Sequence, residues 1–193
     1  LIEDDYDSEF RYKGKPIPAL KGYDASEKVI YLGTFSKSIA PAIRMSYMVL
    51  PESLMKVYQA ACRFINPTVS RVDQMILQKF IEDGHYERHL NRMRALYKGR
   101  HDTFLNCLKP FAGKCRISGE HAGVHLLLTF EDGRSEEELI RLAREEKVAV
   151  YGLSSYDTQG TRKNQASVLL GYANMEEDQI KEAVEILKKA WLS

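Results

Sequence analysis

The sequence is poor in the features that mark specialised classes of chain. Its three cysteines, Cys62, Cys107 and Cys115, are odd in number and have no close paired spacing. That argues against a disulfide framework or a zinc site and reads as free thiols, small core residues in a reducing compartment. Charge of one sign is also lacking, because 28 lysines and arginines meet 27 aspartates and glutamates to leave a formal charge of +1. A chain so balanced has no electrostatic footprint for nucleic acid or an anionic membrane, so any DNA contact has to come from a segment outside these residues. No apolar run approaches the length that spans a bilayer, and the acidic start Leu1-Ile2-Glu3-Asp4-Asp5 is no signal peptide. With no initiator methionine and no cap ahead of that start, the chain reads as cut from a longer one, soluble and cytoplasmic.

What is present is an ordinary globular composition. The 193 residues are 44% hydrophobic and 28% charged, enough for one domain or two small ones. Val29 to Gly33 and Met45 to Leu50 are short apolar runs rich in β-formers, and each is expected to be a buried strand. Helical spacing follows in three stretches: Leu54, Val57, Tyr58 and Ala61 after Pro51; Val72, Met75, Ile76 and Phe80 after a Ser70 cap; and a long stripe from Tyr86 to Leu108. After Pro110 the pattern becomes strand, helix, strand, strand, helix, over 123–130, 135–147, 148–153, 167–173 and 175–191. Ser135-Glu136-Glu137-Glu138 has the form of a capping box. These patterns predict an α/β fold with a larger part over 1–110, including a bridging helix, and a small α/β domain over 111–193.

Two clusters carry chemistry. Alternation along a strand sends Asp4 and Tyr6 to one face and Asp5 to the other. A carboxylate beside a pyridine nitrogen keeps it protonated, and a phenol beside the ring hydroxyl tunes an imine. Taken alone, an acidic strand end is more simply read as solvated or as a turn cap. The second cluster is Thr34-Phe35-Ser36-Lys37 with Arg44 beyond it, where a strand ends. Hydroxyls and a guanidinium offer charge-assisted bonds to a phosphate, and a partly desolvated lysine can form an imine with an aldehyde. Taken alone, this too is a common surface turn. The two clusters together favour the chemical reading. His85 and His89 stand at helical spacing but lack the glutamate and third ligand of a metal motif, so no metal site is expected, and surface polar contacts are.

These residues stand in a recognisable order. Asp4-Asp5-Tyr6-Asp7-Ser8-Glu9-Phe10, Gly33-Thr34-Phe35-Ser36-Lys37 and Ile43-Arg44-Met45-Ser46-Tyr47 resemble the aminotransferase-like, fold-type I pyridoxal 5′-phosphate domain of MocR/GabR-type regulators of the GntR family. The resemblance continues through Glu87-Arg88-His89-Leu90, Ala122-Gly123-Val124-His125 and Leu169-Leu170-Gly171-Tyr172, and so covers essentially the whole chain. It implies a partial large domain plus the C-terminal small domain, a homodimer, and DNA binding only through an absent N-terminal domain. It further implies that Lys37 is the Schiff-base lysine, whose aldimine an amine or amino-acid effector attacks. By the same resemblance Asp4 is the pyridinium partner, with Asp5 as the alternative, Tyr6 lies near the ring hydroxyl, and Arg44, Thr34 and Ser36 bind the phosphate. A fragment of a class I/II aminotransferase is the alternative implied. The chain departs from the pattern at Ser155, where a GABA-binding member is expected to carry arginine. Arg162 is the nearest substitute for an effector-carboxylate ligand, and is equally well an exposed loop arginine.

Overall fold

A computed structural model describes residues 1–157 and 166–192. The chain divides into two compact units, Leu1–Arg94 and Ala95–Ser193.

The first unit is built on three strands, β1 (Ile2–Asp5), β2 (Ile30–Thr34) and β3 (Ser46–Val49). β1 lies parallel to β2, and β2 antiparallel to β3, so β2 is the centre of the sheet. Between β2 and β3 the chain makes a single helical turn, α1 (Phe35–Ser38), then a short 3-10 turn over Pro41–Ile43. Helices α2 (Glu52–Cys62) and α3 (Arg71–Glu82) follow, and then α4 (His85–Cys107). Ser70 caps α3 as its position predicts, its hydroxyl accepting from the amides of Val72 and Asp73. Gly84, in the left-handed region at φ 69°, separates α3 from α4.

β3 corrects one expectation. All four of its residues are exposed, whereas the apolar run reads as a buried strand. As the last strand of this sheet it has one hydrogen-bonding neighbour, and its side chains are left open on both faces of the pleat. The three cysteines are free thiols and half-buried, and Cys107 and Cys115 pack against a hydrophobic core.

The pattern places a boundary inside the long helix or just after it, near Phe111-Ala112-Gly113; the compact units divide inside α4. In the second unit a four-stranded antiparallel sheet has the order β4 (Cys115–Ser118), β5 (His125–Phe130), β7 (Ala166–Gly171), β6 (Tyr151–Gly152). Helices α5 (Glu136–Glu145) and α6 (Glu177–Leu192) pack with the last turns of α4 over a core that includes Phe104, Leu108, Leu126, Leu128, Leu139 and Val168. Two ring polar groups inside this core are paired, as burial requires. Trp191 Nε1 donates to the Leu139 carbonyl at 3.0 Å, and Tyr172 Oη to the Gly123 carbonyl at 2.8 Å.

Two elements here differ from the pattern. β4 was not anticipated at all, and the strand expected over 148–153 shrinks to Tyr151–Gly152. Lys147 takes a left-handed conformation at φ 63° after α5, and Leu153–Tyr156 coils into a 3-10 turn. That turn is pinned by Glu136, whose buried carboxylate accepts from the Ser154 amide at 3.2 Å and from the Ser154 hydroxyl. Gly152 is required for this approach, since a β-carbon there would meet the Glu136 carboxylate. Among the described residues no helix is long and apolar enough to cross a membrane.

Candidate cofactor site

The register of the first sheet decides which side chains share a face. Asp4 pairs with Leu32 and Asp5 with Gly33, while Leu32 faces Met48 and Thr34 faces Ser46. Residues two apart along a strand lie on one side of the pleat, so Asp4, Leu32, Thr34, Ser46 and Met48 form one face. All five line a cleft of about 490 Å³. A carboxylate and two hydroxyls thus line the cleft together with Leu50, Met55 and the phenol rings of Tyr47 and Tyr58. Such a lining suits a flat aromatic ring carrying a basic nitrogen and polar substituents.

Asp5 lies on the opposite face and is already occupied. It accepts from Tyr31 Oη at 2.8 Å and from Ser8 Oγ at 2.8 Å. Burial first, then the bond to Asp5, raises the Tyr31 phenol far above its ordinary value, so it remains a donor. Gly33 sits in the same region under the Tyr47 ring, and a β-carbon would collide with that ring. Tyr6 lies just beyond the end of β1 and is exposed. The neighbouring Asp7 charge, with some burial and Asp4, raises its phenol, which therefore holds its proton.

At the far end of β2, Thr34 is the N-cap of α1. Its hydroxyl accepts from the Ser36 amide at 3.1 Å and from Ser46 Oγ at 3.3 Å, and donates to the Met45 carbonyl at 3.2 Å. Lys37 is in the turn that this cap opens, and its side chain is exposed. Arg44 follows the next turn in the left-handed region (φ 47°, ψ 38°), an arrangement that costs a non-glycine residue about 1 kcal/mol and concentrates at functional sites. Asp4 and Thr34 are therefore brought into one cleft, and Thr34, Ser36 and Lys37 into one capped turn. Tyr6, Ser36, Lys37 and Arg44 do not line the cleft. Arg162 lies outside the described residues. Ser155 donates from its hydroxyl to the Gly152 carbonyl at 2.8 Å and so closes the 3-10 turn.

His85 and His89, near the start of α4, serve polar and ring contacts. His85 Nδ1 is 2.9 Å from Arg88, and its ring stacks on Phe80 at 5.9 Å. Among the described residues no group of three histidine, cysteine or acidic side chains is arranged to hold a metal. The sequence reading missed Glu136 and the residues of α4 that touch the site-bearing segments. Their partners lie far along the chain, and no local spacing announces them.

The family described as Aminotransferase class I and II matches residues 5–187. The chain belongs to that family. It is 42% identical over 192 residues to the uncharacterized HTH-type transcriptional regulator YhdI of Bacillus subtilis (strain 168), covering 99% of this chain and 40% of that protein. It is 34% identical over 194 residues to the probable rhizopine catabolism regulatory protein MocR of Rhizobium meliloti, covering 100% of this chain and 39% of that one. Among solved structures, the multiple substrate aminotransferase from Thermococcus profundus superposes with a TM-score of 0.88 at 27% identity, over 99% of this chain and 47% of that chain. The fold is accordingly α/β, a partial fold-type I pyridoxal-phosphate-dependent transferase large domain with a C-terminal α/β small domain. The chain spans about 40% of the length of these curated relatives.

Proposed function

We propose that this chain is the cofactor-holding, effector-sensing and dimer-forming part of a MocR/GabR-type transcriptional regulator, with residues 1–110 bearing the pyridoxal-phosphate site and 111–193 the small domain. The observation that carries the reading is the shared face of Asp4 and Thr34 along one cleft, with Lys37 in the turn that Thr34 caps. Similarity to HTH-type regulators over nearly the whole chain supports it.

The chemistry of these residues suits the group, a carboxylate, a phenol, an amine, a guanidinium and two hydroxyls, of which Asp4 and Thr34 line the cleft. When bound, pyridoxal phosphate supplies an aldehyde carbon that condenses with amines and a ring that accepts electron density. Lys37 Nζ is the amine of this chain that would hold it. The Asp4 carboxylate would keep a proton on the ring nitrogen, and the Tyr6 phenol, itself held protonated, would donate toward the ring hydroxyl. Arg44 would answer the phosphate charge, with hydroxyls of Thr34 and Ser36 beside it. Arg44 is exposed and sits in the left-handed backbone region. An amine-bearing effector displacing Lys37 would free that side chain and change what holds the turn. DNA would be reached through a segment other than this one, in a cytoplasmic homodimer.

The test is reductive trapping. Adding pyridoxal phosphate should raise a visible absorbance band that Lys37→Ala removes, and subsequent borohydride reduction should label Lys37 in preference to the other lysines. Asp4→Ala should weaken cofactor binding more than Asp5→Ala, and Arg44→Ala should cost on the order of 2 kcal/mol in cofactor affinity. Random labelling across lysines, or the reverse ranking of the two aspartates, overturns the assignment. A second reading, part of a class I/II aminotransferase, is favoured by the superposition on an aminotransferase over 99% of this chain. Conversion of an amino acid to its oxo-acid by the cofactor-loaded protein would select it.

A further inference from the structure

The two segments that carry the candidate site are held by one helix. Tyr86, in the first turn of α4, donates from its hydroxyl to Ser38 Oγ at 3.1 Å. Ser38 is the last residue of the Lys37 turn and is only 1% exposed, so its hydroxyl is satisfied inside the protein by that partner. The Tyr86 ring also meets Phe35, the first residue of the same turn, edge-on at 6.0 Å, and Phe80 at 6.5 Å. The turn is thus gripped at both ends by one side chain. Burial raises the Tyr86 phenol, which keeps it a donor.

Farther along the same helix, Arg94 Nε donates to the backbone carbonyl of Glu9 at 2.8 Å. Glu9 lies in the segment that leaves β1 after Asp4, Asp5 and Tyr6, and the chain there is folded back by a bond from the Phe10 amide to the Asp7 carbonyl. Phe10 anchors that fold, being 1% exposed. Arg94 Nη1 is braced on Asn91 Oδ1 at 3.1 Å, within the same helix. None of these contacts uses the cleft-lining side chains, so the helix touches the site through its backbone supports.

We propose that Tyr86 and Arg94 are positioning residues through which α4 sets the Lys37 turn and the segment after β1 together. A shift of α4 would then move both halves of the candidate site at once, and a change in what Lys37 is bonded to would be felt by α4. The second part of this statement rests on the reading of Lys37 as the cofactor lysine. The helix runs without a break to Cys107.

The test begins with amide hydrogen exchange on the chain without pyridoxal phosphate. Tyr86→Phe should speed exchange over 35–39 by about three- to tenfold, the range for losing one hydrogen bond from a local opening equilibrium. Arg94→Gln should do the same over 7–10. Exchange in α5 and α6 should not change in either variant. If the Tyr86 and Ser38 hydroxyls act on each other, adding Ser38→Ala to Tyr86→Phe brings no further increase, because no buried donor or acceptor is then left unpaired. Unchanged exchange in these segments, or effects of Tyr86→Phe and Ser38→Ala that simply add, overturns the inference. A positioning role also requires reductive trapping at Lys37 to fall severalfold in Tyr86→Phe while trapping at Lys98 and Lys188 stays constant. Trapping at Lys37 that is unaffected despite faster exchange reduces Tyr86 to a structural brace and overturns the role. If the unsubstituted protein is not trapped at Lys37, the cofactor reading falls, and the exchange results alone decide the link between α4 and the turn.

Discussion

The two units spend similar sequence patterns differently. In the second, every turn of α6 buries an apolar side chain, with Ile180, Val184, Leu187 and Trp191 all inside. In the first, α2 has the same kind of stripe and buries nothing, and β3 is open along its whole length. The exposed large apolar residues fall mostly in the first unit, among them Val57, Tyr58, Phe64, Ile65, Val72, Met75 and Ile76, whereas the second contributes Leu96, Tyr151 and Tyr156. An apolar stripe therefore decides that a helix forms, while burial needs a surface to meet it. A contiguous exposed apolar patch of this kind is uncommon on a monomeric globular surface, and here it is concentrated in the first unit.

The largest test of this contrast compares two sheet residues of similar size. Leu128 in β5 is fully buried (0%), while Met48 in β3 is 45% exposed. Leu128→Ala should cost about 2–5 kcal/mol, from lost transfer energy plus a cavity. Met48→Ala should stay within about 0.5 kcal/mol. Urea unfolding followed by the fluorescence of Trp191, the one tryptophan, reads the second unit, and amide exchange over β3 reads the first. Equal costs would break the contrast.

A smaller effect should be the same in both units. Ser70 accepts from the Val72 and Asp73 amides at the start of α3, and Ser135 from the Glu138 amide at 3.1 Å at the start of α5. A cap acts within one turn and asks nothing of tertiary burial, so Ser70→Ala and Ser135→Ala should each cost about 1 kcal/mol. Exchange over the first turns of the two helices measures this directly. A cap effect confined to the second unit would mean that α3 is held by something other than its own ends.

The same division between local and distant causes explains what could be read in advance. Both caps, the three helices of the middle region and the strand–helix alternation after Pro110 follow from spacing within a few residues. The opposite faces of Asp4 and Asp5 also follow from strand alternation, though the occupant of the Asp5 face, Tyr31, comes from β2 and has no local signal. β4 is too short and mixed to stand out, with Arg116 and Ser118 alternating with Cys115 and Ile117. The strand expected over 148–153 starts later because the Val148 amide still bonds the Ala143 carbonyl behind the left-handed Lys147, and its end is set by Glu136 reaching Ser154 from another element. Tyr86 and Arg94 were likewise invisible, since Ser38 and Glu9 are reached only through the fold.

The smallest expected effect concerns Cys115, at the edge of the second unit's core. Partial burial, helped by the nearby Asp132 carboxylate, pushes its thiol up to about 11. An unfolded cysteine titrates near 8.5, so the folded state favours the proton. Stability from this thiol is present below about 8.5 and is lost as pH rises toward about 11. The second unit should therefore weaken over that interval, and Cys115→Ala should flatten the slope. Because the thiolate is the reactive form, alkylation of Cys115 by iodoacetamide at pH 8.5 should run about tenfold or more slower in the folded protein than in urea. Peptide mass spectrometry at the Cys115 site measures both rates. Equal rates would show that the edge of this core is as open as β3, and the contrast between the two units would then hold only for the residues that lie deeper.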